Sequence, residues 1–373
     1  MSFTGRALYN SGVWDGVAED VSEEIGMISP LETPFLDSLP PALNSARSIL
    51  HEWLDDALNP LTITTSSAVD SDTADTAIGI IGGNAPKLMQ GTILLHETTL
   101  EMMKVSAHTT GNTITVNRAQ AGTTATSLAA GQNLTVITNA ALDGSDVTVD
   151  ISGARTRRTN YCQAIKFDII VAGSVEATTQ LGGIGSEMTY QKEQRLREAV
   201  RFLERAVLRG KSLANSIGSA TAERSMNGVI AQITTNVATG LTLSNSVLDN
   251  QVKKCWDNGV LPDLIVVGDT WKRIIDTFNG SRMRNSMVDG DNFLQRVDVY
   301  EGTYGKQAVM LNRHMRANAM LILRRDRVRV LPLTNRSFRY EPISKSGDST
   351  KAMIIGDYTA ELHNEEGAAY ATA

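Results

Sequence analysis

"SEMTYQKEQRLREAVRFLERAVLRG", residues 186–210, is the longest helical stretch in the sequence. Ser186 can cap its start, because a serine oxygen accepts from first-turn N–H groups, and Gly210 can end it. Leu196, Val200, Leu203 and Val207 follow at spacings of four, three and four, a narrow apolar stripe along one face. At about 1.5 Å per residue the helix is roughly 36 Å long, a plausible spine for a flat domain. Beside the stripe, Arg197, Arg201, Arg205 and Arg209 recur every four residues, preceded by Glu193. A solvated face would satisfy them with local pairs such as Glu193–Arg197, worth only ~0.2–0.5 kcal/mol each. Alternatively, carboxylates of another subunit or a phosphate backbone meet the ridge, since exposed arginine rows of one sign attract anionic partners. The spacing alone leaves both readings open.

Upstream, residues 1–30 read as an arm. "VWDGVAEDVSEEIGMI" places Val17, Val21, Ile25 and Ile28 at spacings of four and three, with Asp20, Glu23 and Glu24 elsewhere. This is one short amphipathic helix with nothing local to bury against. It is expected to dock on another part of the chain or on another subunit. "SPLETPFLDSLPP" holds four of the nine prolines and reads as an extended connector. "RSILHEWLDDALNP" (47–60) sets Ile49, His51 and Trp53 on one parity and Leu50, Glu52 and Leu54 on the other, a strand ending near Pro60. Residues 61–80, rich in Thr, Ser, Asp and Ala, suit a loop or a solvated strand. Residues 85–140 read as a small all-β module with a hairpin turn at Gly111-Asn112 and alternation through Ile114 and Val116. Tyr161, Ile165, Phe167 and Ile169 then resume strand character. That segment is expected to pair with 47–58, forming a two-stranded arm in which the module is mounted.

Downstream of the long helix, "NSVLDNQVKKCWDNG" reads as a helix with Val247, Val252 and Trp256 making apolar contacts. "LPDLIVVGDTWKRIIDTF" reads as a buried strand leading into a helix capped at Asp269. Residues 279–292 form a long polar loop, and 295–373 are mostly strands. The fold class is α+β.

The chain has 373 residues, room for roughly two to three domain-sized units. A net charge of −6 argues against a dedicated polyanion binder, which needs many phosphate contacts. Cys162 and Cys255 stand far apart and outside any metal-type spacing, so two reduced, buried thiols are expected. The N-terminus lacks a signal-peptide pattern and no apolar run spans a bilayer, so a cytoplasmic product is expected.

Chemistry is weakly supported throughout. In "HEWLDDAL" the second histidine position of an H-E-x-x-H zinc motif is Asp55. On a strand, His51 and Asp55 would stand about 13 Å apart, too far to share a metal. "LGGIGSE" (181–187) lacks the phosphate-binding glycine pattern, and Gly182, Gly183 and Gly185 read as a joint before the helix. "DGDN" (289–292) would place Tyr300 where a calcium loop needs a bidentate Glu. His96, His108, His314 and His363 have no recognisable nucleophile partners. No catalytic residue, metal or cofactor is expected.

The order of parts resembles the major capsid proteins of tailed double-stranded-DNA bacteriophages, with their Hong Kong ninety-seven-type fold. The resemblance rests on "SPLETPFLDSLP", "HEWLDDAL", "EQRLREAVRFLERAVLRG", "VYEGTYGKQAVMLNRHM" and "SKSGDSTKAMIIGDYTAELHNE", which together span most of the chain. It implies an N-terminal arm (1–46), an extended loop (47–84 and 141–180) and an inserted all-β domain (85–140). It further implies a peripheral domain with the spine helix (181–221 and 311–373) and an axial domain (222–310). The implied function is a head protein that assembles into hexamers and pentamers and encloses the DNA genome. The alternative is a neck or tail component. Subunit-interface candidates are Trp53, Asp55, Asp56, Arg197, Arg201, Arg205 and Arg209, with Arg282 and Arg284 in the 279–292 loop. Implied partners are other copies of the chain, a portal protein, a scaffold, a decoration or cement protein, and packaged DNA held non-specifically on the inner face; no membrane is implied. An insertion in a loop on a closed shell is expected to face outward.

Overall fold

The computed structural model describes residues 33–41, 44–144, 146, 149–178, 185–213, 217–219, 221–278, 299–345 and 347–373. The arm helix expected over 13–28 and the 279–292 loop with Arg282 and Arg284 lie outside the described residues. Contacts divide the chain into two compact units, one of residues 54–157 and one made of the rest. β1 (Leu50–Asp55) and β8 (Thr156–Tyr161) pair as a two-stranded sheet, and the chain passes between the units within them. Of the segment expected to pair with 47–58, only Thr156–Tyr161 does so; Ile165, Phe167 and Ile169 lie in the next strand, which pairs instead with residues 349–358.

The smaller unit contains β2 (Thr62–Thr64), β3 (Ala77–Gly79), β4 (Thr92–His96), β5 (Glu101–Ala107), β6 (Thr113–Gln120) and β7 (Asn133–Asn139). Their order is β2-β7-β4-β5-β6-β3, antiparallel throughout. The outer strands then meet: Ser66 N–H donates to Gly79 O at 2.8 Å and Ile81 N–H to Thr64 O at 2.9 Å, around a Thr65–Ile80 bridge. The sheet is thereby closed into a six-stranded barrel. First and last strands pair, so the chain enters and leaves side by side. Alternation fills the interior with Ile63, Ile78, Leu94, Met103, Val105, Ile114, Val116 and Leu134. The module therefore takes in residues from 62 onward, where the composition suits a loop or a solvated strand. β2 and β3 contribute a single buried isoleucine each, Ile63 and Ile78, too few for period-two alternation to be legible.

One ion pair sits inside this barrel. Arg118 Nε and Nη2 donate to the two carboxylate oxygens of Glu101 at 2.9 and 2.7 Å, with both side chains fully buried. Arg118 also donates to the backbone carbonyls of Asp70 and Thr126. Burial would raise the Glu101 carboxyl, but bonds from Arg118 and Thr126 hold it below the ordinary glutamate value.

In the larger unit a mixed sheet runs β10 (Val237–Ala238), β18 (Ala369–Thr372), β14 (Ala319–Leu323), β11 (Leu264–Val267), β13 (Gly305–Leu311), β12 (Val299–Gly302). β11 and β14 are continuous apolar runs because both sheet faces are covered. Leu264, Val266, Leu321 and Leu323 pack with α1 (Pro34–Ser38), α3 (Glu187–Arg209) and α4 (Val229–Gln232), through Phe35, Leu203, Val207, Leu208 and Val229. Ile265, Val267, Met320 and Ile322 face α5 (Asn245–Asp257) and α6 (Asp269–Asp276), through Leu248, Val252, Cys255, Trp271 and Ile275. β13 runs through residue 310, and β14 and β18 from the tail complete the sheet of β11.

A second sheet holds β15 (Val328–Pro332), β16 (Arg339–Ile343), β17 (Ser349–Leu362) and β9 (Gln163–Ala172). β9 pairs with β17 along its whole length, and its other edge meets no strand among the described residues. α2 (Gly173–Ala177) follows β9. α3 lies on this sheet through Ala199, against Ile169, Val171 and Ile354.

The long helix forms where its periodicity predicts. Ser186 accepts from Thr189 N–H at 3.5 Å, and Gly210 closes the last turn onto Ala206 O at 2.8 Å. Its buried face is Ala199, Leu203, Glu204, Val207 and Leu208. Leu196, one of the expected stripe residues, is exposed, as is Trp256 on α5. The cap position of α6 is Gly268, and Asp269 lies in its first turn.

Candidate functional site

Two polar junctions fasten the segments that have least core of their own. At the first, Glu204 of α3 is fully buried. The first N–H groups of a helix lack intrahelical acceptors. In α1, Thr33 supplies no side-chain cap, and Pro34 occupies the first turn. Glu204 substitutes from across the fold: Phe35 N–H and Leu36 N–H donate to its two oxygens at 3.0 and 2.8 Å, and Asn312 Nδ2 donates at 2.6 Å. Burial pushes the Glu204 carboxyl up, against the pull of the bonds from Leu36, Asn312 and Phe35. The junction therefore ties the connector after the arm to the spine helix.

At the second junction β1 meets β17. His51, Trp53 and Asp55 share the inward parity, and Glu52, Leu54 and Asp56 point out. Glu361 of β17 is buried and accepts from His51 Nε2 and, at 3.2 Å, from His363 Nε2. The Trp53 ring stands 6.0 Å from His51 and 6.2 Å from His363 and is itself buried. Burial alone would raise the Glu361 carboxyl; the bonds from His363 and His51 outweigh it and bring it to about 2. His51 and Trp53 clamp the first strand of the two-stranded arm to the body. Asp55 is buried, whereas Asp56 is exposed near Arg155, 3.6 Å away.

The basic ridge is only partly neutralised. Arg197, Arg205 and Arg209 are exposed and Arg201 is half-buried. Arg209 Nη1 donates to His314 O at 3.3 Å. The pair formed on this helix is Arg195–Glu198, and among the described residues no carboxylate pairs with Arg197, Arg201 or Arg205. Among the described residues no cluster of His, Cys, Asp and Glu has the geometry to hold a metal. Burial pushes the Cys162 thiol up to about 11 and the Cys255 thiol to about 12, so both are inert at neutral pH.

The junctions also join the sequence stretches quoted above. Glu204 brings "TPFLDS", the spine helix and "LNRHM" to one point, and Glu361 joins "HEWLDD" to "TAELHN". The family model for the SU10 major capsid protein matches residues 4–373, nearly the whole chain. The chain belongs to the SU10 major capsid protein family. A solved structure from Microbacterium phage Oxtober96 shares the fold at 13% identity, covering 95% of this chain and 96% of that one, with a TM-score of 0.50. One from Mycobacterium phage Bobi has 10% identity, 95% coverage of each chain and a TM-score of 0.48. The Cyanophage A-1(L) capsid asymmetric unit has 12% identity over 63% of this chain and 84% of that one, with a TM-score of 0.46. A comparison with curated proteins finds no match. This capsid protein is a shell-forming structural component of the virion, and the family match decides against the neck or tail alternative.

Glu204, Glu361 and His363 are not among the interface candidates read from the sequence, where His363 stands only as a histidine without a nucleophile partner. A glutamate within a charged helix looks solvated until the fold places three donors around it. The five stretches that carry the resemblance did contain all three.

Proposed function

We propose that this capsid protein closes its shell as hexamers and pentamers, with the β1–β8 ribbon lying across a neighbouring subunit. The peripheral domain is built around α3, and the 222–310 lobe gathers at the capsomer centres as the axial domain. The observation that carries the proposal is the ridge: Arg197 and Arg201 meet no carboxylate within the described chain, and acids on a neighbour's ribbon, such as Asp56, supply it. Leu54, Leu58 and Leu61, at 56, 97 and 72% exposure, lie in the stretch that leaves β1 and gain from the same contact. Trp53 contributes by holding β1 in place, and Arg282 and Arg284 remain candidates for the axial contacts. Each contact is weak, and closure by symmetry makes them collectively strong. The protein performs no catalysis. It assembles in the host cytoplasm on a scaffold and around a portal, holds DNA non-specifically on its inner face, and presents the barrel outward, where a decoration protein can sit.

Electron microscopy with sedimentation of the protein expressed alone, then with lysate from infected host, tests this. Closed shells or rings of five and six subunits support it; a discrete small oligomer under every condition overturns it. Arg201→Glu is expected to impair shells while leaving the thermal melt of the unassembled chain unchanged. Normal shells from that variant would remove the ridge from the interface.

A further inference from the structure

The modest net charge of the chain hides a separation. The barrel unit, residues 54–157, carries 10 acids and 5 bases, residues 1–53 are acidic as well, and residues 158–373 carry 28 bases and 23 acids. A polyanion is therefore repelled by the barrel and drawn to the larger unit.

Within the larger unit two basic segments are fastened together. The last turns of α3 carry Arg205 and Arg209, and Lys211 follows the helix end. Between β13 and β14 the chain turns through "NRHMR", residues 312–316, where His314 N–H donates to Asn312 Oδ1 at 2.7 Å and Met315 N–H to Asn312 O at 3.2 Å. Asn312 Nδ2 reaches Glu204, the residue before Arg205, and Arg209 reaches His314 O, so helix end and turn meet at one corner. Arg205, Arg209, Lys211, Arg313 and Arg316 are all exposed there. Glu204 is buried and already accepts from α1 and Asn312. The exposed acids on segments packed against the corner are Asp37 of α1, Glu223 and Asp269 of α6. The cations outnumber them, and among the described residues no carboxylate pairs with Arg205, Arg209, Lys211 or Arg316. Four of the five cations are arginines, whose planar fork binds two phosphate oxygens at once.

We infer that Arg205, Arg209, Lys211, Arg313 and Arg316 form a contact surface for the phosphate backbone of duplex DNA. The inference rests on the reading of the shell as enclosing DNA, and it names the residues that touch it. Phosphate contacts carry no sequence information, so the surface holds any duplex equally. A handful of contacts per copy is weak and salt-sensitive, and repetition over a shell makes it strong.

Fluorescence anisotropy of a labelled duplex of about thirty base pairs, titrated with the unassembled full-length chain across a salt series, tests it. Log affinity is expected to fall linearly with log salt, by about 0.9 for each phosphate contacted. Arg209→Gln, Arg313→Gln and Arg316→Gln combined are expected to weaken binding at least tenfold at low salt and to flatten the slope by about 2.7. Arg205→Gln with Lys211→Gln leaves the 312–316 turn untouched and is expected to flatten it by about 1.8. Circular dichroism checks that each variant is folded, and the second carries the test if the first is not. Arg324→Gln, Arg327→Gln and Arg329→Gln remove the same charge beyond the other end of β14, and this control is expected to keep the parent slope. No binding at low salt, or a control that loses as much as the first variant, would overturn the inference. So would poly-glutamate displacing the duplex as well, charge for charge, as unlabelled DNA does, since a neighbour's carboxylates would then be the occupant. Shell closure is read separately by electron microscopy. A chain that binds DNA through these residues yet never closes a shell supports this surface and overturns the enclosing role.

Discussion

Glu204 carries a carboxylate into the interior, and three donors converge on it. Removing it leaves two N–H groups of α1 and the Asn312 amide buried without their acceptor. Glu204→Ala is therefore expected to cost about 2–3 kcal/mol in denaturant unfolding of the unassembled chain. The two buried glutamates also respond oppositely to pH. Glu204 is raised, so the folded state binds its proton more tightly than the unfolded chain does, and its contribution falls as pH rises through the carboxylate range. Glu361 is lowered from 4.5 to about 2, so its contribution is present above 4.5 and lost as pH falls toward 2. That loss is on the order of 3 kcal/mol. Thermal melts between pH 5 and 2 should show a steep decline in the parent protein and a shallower one in Glu361→Gln. Equal slopes would mean that the histidine clamp does not hold the charge.

At the level of elements, the C-terminal end of α3 is set by a close backbone approach. A Cβ at Gly228 would lie 2.6 Å from both Ala206 O and Val207 O and 2.8 Å from Gly210 N. Gly228→Ala should therefore push the 226–232 segment off the helix and lower the melting temperature by several degrees. Gly240 has φ +71° but open space around it, so Gly240→Ala should cost only about 1 kcal/mol of backbone strain. A smaller effect at Gly228 than at Gly240 would contradict this account. Elements of this length were the most legible in the sequence. α3 has a cap, a stop and a sustained period, all local signals, and it forms where they place it. β2 and β3 have three residues each, and only closure of the barrel makes them strands. Leu196 belongs to the apolar period yet stays exposed, because the buried face of α3 is set by the sheets it touches, and Glu204 takes a place in that face. The junctions join residues more than a hundred positions apart, which no local pattern encodes.

Taken whole, the molecule has separate apolar cores. The barrel core draws only on residues between 63 and 134, and the other cores only on residues outside the barrel. Calorimetry of the unassembled chain should then show two transitions. Glu101→Gln breaks a fully buried ion pair in the barrel, a change worth about 3–5 kcal/mol, and should lower one transition while leaving the other in place. A single transition that shifts as one would show the units to be coupled. The side-by-side pairing of β2 with β7 has another consequence. A cut at Thr62 and Thr135, direct partners in β2 and β7, leaves two chain ends one strand spacing apart, about 4.8 Å, a gap that a two-residue hairpin turn closes. The module is therefore exchangeable, like a cartridge in a socket. A lineage of such proteins can gain, lose or replace this barrel, and an engineer can load a foreign domain there, without rewriting the rest of the chain.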